Sequence, residues 1–184
     1  MTPPPRRRGA RPAQAEEGPP LEARSPVSAG VPPYVLVSGP EELVAQRAVT
    51  ATLDALRATG HDPAQVDTVI LTHIHPEHAL GLSYDGTTAN FPNSEVVVTQ
   101  VDHRFWTDPA MESRVPQGQR FIEAGRRAIR PYGNRIRTVE MRDGLEVVPG
   151  IFLVPAPGHT PGHVSYRLTS QNRSMLIWGD IAHQ

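Results

Sequence analysis

The 184-residue sequence contains no cysteine. Disulfides, thiolate nucleophiles and cysteine-ligated zinc or iron–sulfur centres are therefore excluded. Histidine and the carboxylates are left as the strong metal ligands. Lysine is absent as well: all 18 basic residues are arginine, set against 19 acids for a formal charge of −1. That balance has no basic surplus to grip a phosphate backbone, which excludes a dedicated nucleic-acid binder. Aromatic residues make up only 5% of the chain. A run of about 18 apolar residues, the length a membrane-spanning helix needs, is also missing, so no membrane partner is expected. What the chain does have in quantity is 20 prolines and 8 histidines.

The prolines locate a boundary. Nine of the 20 lie in residues 1–33, together with five arginines, three acids and one large aliphatic side chain of note, Leu21. Such a stretch buries too little apolar surface to offset its ordering entropy and reads as a disordered, partly polyproline-like tail. Arg6-Arg7-Arg8 is followed by Gly9-Ala10-Arg11-Pro12. An export signal needs an apolar run there, so a cytoplasmic location is expected.

Residues 34–184 carry a net charge of −3 and a readable alternation of elements. Tyr34–Val37 is a short apolar run that predicts a strand. Ser38-Gly39-Pro40-Glu41 has capping-box spacing and opens a helix to about Thr59, with Ala45, Val49, Leu53 and Leu56 toward one face and Gly60 as the stop. Val66–Thr72 reads as a buried strand. A His-rich loop and a Gly/Thr/Asn-rich loop (81–93) follow it. Glu95–Thr99 predicts a strand, Val101–Trp106 a short helix, and Gln117–Arg130 a helix closed by Pro131 and Gly133. Short strands then crowd together at Arg135–Glu140, Leu145–Val148, Ile151–Pro155, His163–Leu168 and Met175–Trp178. The fold class is α/β or α+β, with a strand-dominated second half.

The chemistry concentrates in Thr72-His73-Ile74-His75-Pro76-Glu77-His78. Three imidazoles and a carboxylate fall within six positions, directly after a buried strand. His73 and His75, two apart on extended chain, project to the same side and can reach one metal ion. Pro76 turns the chain and aims Glu77 and His78 at a neighbouring point. These are the ligand types that zinc and similar divalent ions favour. Two further segments offer partners: Pro157-Gly158-His159-Thr160-Pro161-Gly162-His163, and Trp178-Gly179-Asp180 at the end of an apolar strand. His61 and His103 stand alone and read as surface or packing residues.

The His-x-His-x-acid-His run, the later Gly-His-Thr-Pro-Gly-His and the Gly-Asp after a strand resemble the metallo-β-lactamase superfamily. Ala64–His73, Phe91-Pro92-Asn93-Ser94, Asp102-His103-Arg104-Phe105-Trp106 and Trp178-Gly179-Asp180-Ile181 are similar to its methyl parathion hydrolase and quorum-quenching lactonase branch. The resemblance runs from Tyr34 to Gln184. It implies a partial αβ/βα sandwich over 34–184 behind the 1–33 tail. By the same resemblance His73, His75 and His159 hold one zinc ion, and Glu77, His78 and Asp180 serve a second, with Asp180 bridging. The implied activity is that of a hydrolase using metal-bound hydroxide on an ester, lactone or phosphotriester-type small molecule. Glu77 or Asp180 would orient the hydroxide and take its proton. His163 matches a supporting position, and Phe105 and Trp106 are either pocket-lining or core residues.

Three departures from the pattern set the alternative. Glu77 stands where the family carries Asp, one methylene shorter, although ligand distances tolerate only about ±0.2 Å. A further ligand His expected beyond Gly-Asp is absent, and His183 has no geometric claim to replace it. Strands expected before the first His motif reduce to Tyr34–Val37, so the chain is expected to be truncated at both ends. Sheet edges left open in this way leave self-association into a homo-oligomer as an outcome. The alternative reading is accordingly an impaired or inactive remnant that binds at most one metal.

Overall fold

The computed structural model describes residues 42–115 and 118–182. The 1–33 tail, the Tyr34–Val37 strand, the Ser38 capping box and His183 lie outside the described residues.

The first described element is α1 (Glu42–Ala58). Val49 is buried on its inner face, and Leu53 and Leu56 pack against the core. Gly60 stops it as expected: its φ of +84° belongs to the left-handed region that ends helices, and His61 N–H folds back onto Leu56 O at 3.0 Å. A 3-10 turn at Pro63–Gln65 follows, closed by a reciprocal Asp62–Gln65 capping box.

Strands β1 (Thr68–Ile70), β2 (Glu95–Thr99) and β3 (Ile136–Val139) form a parallel sheet in the order β1-β2-β3. Parallel strands need long crossovers. Here these contain α2 (Pro76–Ala79), and then α3 (Gln100–Thr107), α4 (Met111–Arg114) and α5 (Gln119–Ile129). α5 buries Ile122, Ala124, Gly125, Ala128 and Ile129. After it a 3-10 turn at Arg130–Arg135 leads into β3, where Arg135 Nη1 donates to Pro92 O at 2.7 Å and to Ser94 O at 2.9 Å. The second sheet is antiparallel, in the order β4 (Glu146–Val148), β5 (Ile151–Pro155), β6 (Val164–Ser170) and β7 (Arg173–Ile177).

Most elements sit where the sequence puts them. The strand expected over Val66–Thr72 is the shortened case. Val66 N–H closes the 3-10 turn on Pro63 O. At the other end the chain leaves the parallel ladder: Leu71 N–H still bonds Val97 O at 2.9 Å, but Thr72 O accepts Val164 N–H at 3.1 Å from β6. The residue before the histidine loop is thereby tied to the second sheet. Tyr166 Oη donates to Leu71 O at 3.1 Å and strengthens that junction. The one-turn helix α4 adds to the elements expected between Trp106 and Gln117.

Two apolar clusters form the core. One, built on Val66, Val69, Ile74, Leu80, Phe91, Trp106, Ile122 and Tyr132, lies between the parallel sheet and its helices. The other, built on Val97, Val147, Ile151, Leu153, Val164 and Tyr166, joins the two sheets. Among the described residues no helix is long and apolar enough to cross a membrane.

Candidate metal centre

The histidine loop leaves β1 at the end facing β6, and the loop between β5 and β6 arrives at the same place. His73 is fully buried. Its Nε2 lies 3.0 Å from His75 Nδ1, which lies 2.7 Å from His159 Nε2. The three rings meet edge to face, with centroids 4.5 to 4.8 Å apart. Nitrogens at such spacing face one another's lone pairs unless a proton or a cation lies among them.

A second convergence adjoins the first. Asp180 Oδ1 is 3.1 Å from His78 Nε2, and its Oδ2 is 3.4 Å from His159 Nε2. The two oxygens of one carboxylate thus face different histidines. Two ligand groups result: His73, His75 and His159, and His73, His78 and Asp180, each with its donor atoms within 4.8 Å of one another. Three imidazole nitrogens with an adjoining carboxylate are a zinc-type donor set, so the side chains present fit a divalent ion.

Electrostatics agree with that chemistry. Desolvation, followed by the neighbouring imidazoles, pushes His73 far below the usual histidine range. The same causes push His75 down to about 4. Neutral imidazole is the form that ligates a metal.

Glu77 is placed apart from both groups. Its Oε1 lies 3.8 Å from His75 Nδ1, and its side chain is 26% exposed. Helix α2 starts at Pro76, and within it His78 turns in toward Asp180 while Glu77 stays beside His75.

His163 is buried and bonded at both ring nitrogens. Its Nδ1 lies 2.9 Å from Ala156 O, and its Nε2 lies 2.9 Å from Asp180 N. Because a carbonyl only accepts and an amide only donates, the proton sits on Nδ1. The ring holds the Asp180 backbone in place beside the cluster. Gly179 permits this approach, since a Cβ there would lie 2.5 Å from His163 Nε2.

Trp106 belongs to the core, 2% exposed, with its ring edge-on to His75 at 5.2 Å. Phe105 packs partly buried against the same cluster. One exposed aromatic near the histidines is Phe121, 54% exposed and 6.4 Å from His75. Nothing in the sequence pattern singles it out. His61 is exposed and outside both groups, and His103, on α3, is outside them too.

Asp102, part of the Asp102–Trp106 motif, carries no ligand or catalytic signal in the sequence. Asp102 is fully buried in the first turn of α3. Thr99 caps the helix there, its Oγ1 accepting Asp102 N–H at 3.2 Å.

Comparison with known proteins places these features in a family. The chain matches the Metallo-beta-lactamase superfamily over residues 36–184. It is 27% identical over 132 residues to the N-acyl homoserine lactonase AiiA of Bacillus thuringiensis subsp. kurstaki, a match covering 71% of this chain and 44% of that protein. It is 30% identical over 112 residues to the protein YobT of Bacillus subtilis, covering 61% and 44%. Among solved structures the hydrolase AbOPH of the beta lactamase superfamily superposes with a TM-score of 0.63 at 38% identity, covering 72% of this chain and 47% of that one. AidC, a dizinc quorum-quenching lactonase solved with its product, shares the fold at a TM-score of 0.56 and 21% identity, covering 68% and 45%. The chain spans a little under half the length of the relatives it matches. With the match running through every described element and both histidine-bearing loops, the chain belongs to the metallo-β-lactamase superfamily.

Proposed function

We propose that this chain carries the metal-binding core of a zinc-dependent hydrolase acting on a small ester, lactone or phosphotriester-type substrate. The observation that carries the reading is the convergence of His73 Nε2, His75 Nδ1 and His159 Nε2, with Asp180 reaching from His159 to His78. In this reading His73, His75 and His159 hold one divalent ion. Glu77, His78 and Asp180 serve a second, and Asp180 bridges the two. Bound ions of this kind lower the pKa of a water molecule and polarise a carbonyl or phosphoryl oxygen.

The protein's own side chains supply the rest. The imidazoles of His73 and His75, kept neutral chiefly by desolvation, present lone pairs without first losing a proton. His163 fixes the Asp180 backbone through Asp180 N–H. Glu77 and Asp180 are the carboxylates within reach of the histidines and are assigned the proton-accepting role. Glu77 must swing toward His75 from its present 3.8 Å to take part. Similarity to N-acyl homoserine lactonases supports a lactone as the first substrate to try.

Metal analysis of the purified protein together with turnover tests this assignment. Two zinc equivalents per chain and hydrolysis of N-acyl homoserine lactones or phosphotriesters, lost in H159A, are expected. Less than one equivalent and no turnover across both panels would sink it in favour of an inactive remnant.

A further inference from the structure

Resting on the metal-site reading above, we infer that Asp102 is a positioning residue that clamps the two histidine-bearing loops into one ligand set. Asp102 ligates nothing itself, and it is fully buried at the start of α3. Its Oδ2 accepts the backbone N–H of Ile74 at 2.7 Å. Ile74 is the residue between His73 and His75. Its Oδ1 accepts the hydroxyl of Thr160 at 2.5 Å. Thr160 is the residue after His159. One carboxylate therefore bonds the immediate neighbours of all three histidines of the first group, across 28 and 58 residues of chain.

The surroundings reinforce the clamp. Thr99, whose hydroxyl caps α3, donates that hydroxyl to Gly162 O at 2.8 Å. Gly162 lies so close to the first turn of α3 that a Cβ on it would sit 2.1 Å from Asp102 N. From the other side, Gly125 of α5 brings that helix against Ile74, where a Cβ would lie 2.7 Å from Ile74 O. The Ile74 backbone is thus bonded at its N–H and closely packed at its carbonyl. Burial pushes the Asp102 carboxyl above the usual range, while the hydrogen bonds from Thr160 and Ile74 pull it back. A buried carboxyl kept for two backbone-ordering bonds beside a ligand cluster has the features of an outer-shell orienter.

The test is cobalt(II) binding to the metal-free protein, read by chelator competition and by the visible ligand-field spectrum. The variants are D102A, D102N and T160V, each first checked for folding by circular dichroism and thermal unfolding. D102A is expected to weaken cobalt about 10- to 100-fold and to change the spectrum. D102N is expected to recover most of the affinity. Its amide oxygen accepts Ile74 N–H, and its NH2 donates to the Thr160 hydroxyl, which can turn to accept. T160V is expected to show a several-fold loss, and it carries the test if D102A does not fold. Wild-type affinity and spectrum in folded D102A or in T160V would overturn the inference alone. D102N as weak as D102A would assign the effect to charge and overturn it too. A wild-type protein that takes up no cobalt would overturn the metal-site reading, and the inference with it.

Discussion

Replacing Gly162 by alanine isolates the contact between the His159 loop and helix α3. The new Cβ would lie 2.1 Å from Asp102 N and 2.5 Å from Asp102 Cα, where ordinary contacts begin at 3.4 Å. Because the obstructing atoms are backbone, the loop and the helix must part by more than 1 Å. The Thr99 Oγ1–Gly162 O bond, 2.8 Å in the structure, then stretches past any useful length, and the Thr160–Asp102 bond goes with it. A buried neutral bond contributes about 1 kcal/mol and one to a carboxylate about 1.5–3 kcal/mol, so the loss is about 2.5–4 kcal/mol. Alanine restricts the unfolded chain and returns about 0.4–1 kcal/mol of this. Net destabilisation is therefore about 1.5–3.5 kcal/mol. Urea unfolding of the metal-free protein measures it as a lower midpoint at unchanged slope. A G162A midpoint equivalent to less than about 0.5 kcal/mol of change would refute the packing argument.

Other sites give independent checks. Phe121 is largely exposed beside His75, so F121A should alter stability by less than about 0.5 kcal/mol. It should raise KM for a lactone with an acyl chain several-fold while kcat stays within about threefold; an unchanged KM would remove Phe121 from the substrate wall. Arg126 donates from Nε to Trp106 O and from Nη2 to Asp108 O, each at 2.7 Å, and pairs with Glu112. R126M keeps much of the apolar stem but loses these bonds, so a destabilisation of about 2 kcal/mol is expected in chemical unfolding. A neutral result would show that the end of α3 needs no such tie. Stability of the metal-free protein should fall as pH drops. His75 is pushed down to about 4 from an unfolded value near 6.5, so between those values the unfolded chain binds the extra proton. The contribution present above pH 6.5 is lost on acidification, by about 2 kcal/mol per such histidine between pH 7 and 5. A flat unfolding profile over that range would contradict the buried neutral cluster.

Much of this fold is legible in the sequence because local and tertiary signals coincide there. Ile151–Pro155 and Glu95–Thr99 are strands bounded as their apolar runs suggest. Gly60 ends α1 because the left-handed turn it adopts is the one glycine tolerates best. Where the signals part, reading along the chain fails. The Val66–Thr72 run shortens to Thr68–Ile70 because its ends bond to a turn and to the other sheet. For the site, four ligand-type residues in six positions stand out, and the structure brings His73, His75, His78, His159 and Asp180 together. Glu77 shares their motif and lies 3.8 Å from His75 Nδ1, yet it falls outside both ligand groups. Asp102 stands in the sequence only as part of the Asp102–Trp106 motif, because its partners Ile74 and Thr160 become neighbours through folding alone. Phe121 acquires its place beside His75 in the same way, from the packing of α5.

The most direct test of the central claim is anomalous diffraction at the zinc edge from crystals of the protein grown with zinc. A divalent ion held as proposed gives a peak about 2.0–2.1 Å from His73 Nε2, His75 Nδ1 and His159 Nε2. An adjoining peak by His78 and Asp180 would mark the second ion. Absence of density among the three imidazoles, with zinc bound elsewhere or not at all, would contradict the account.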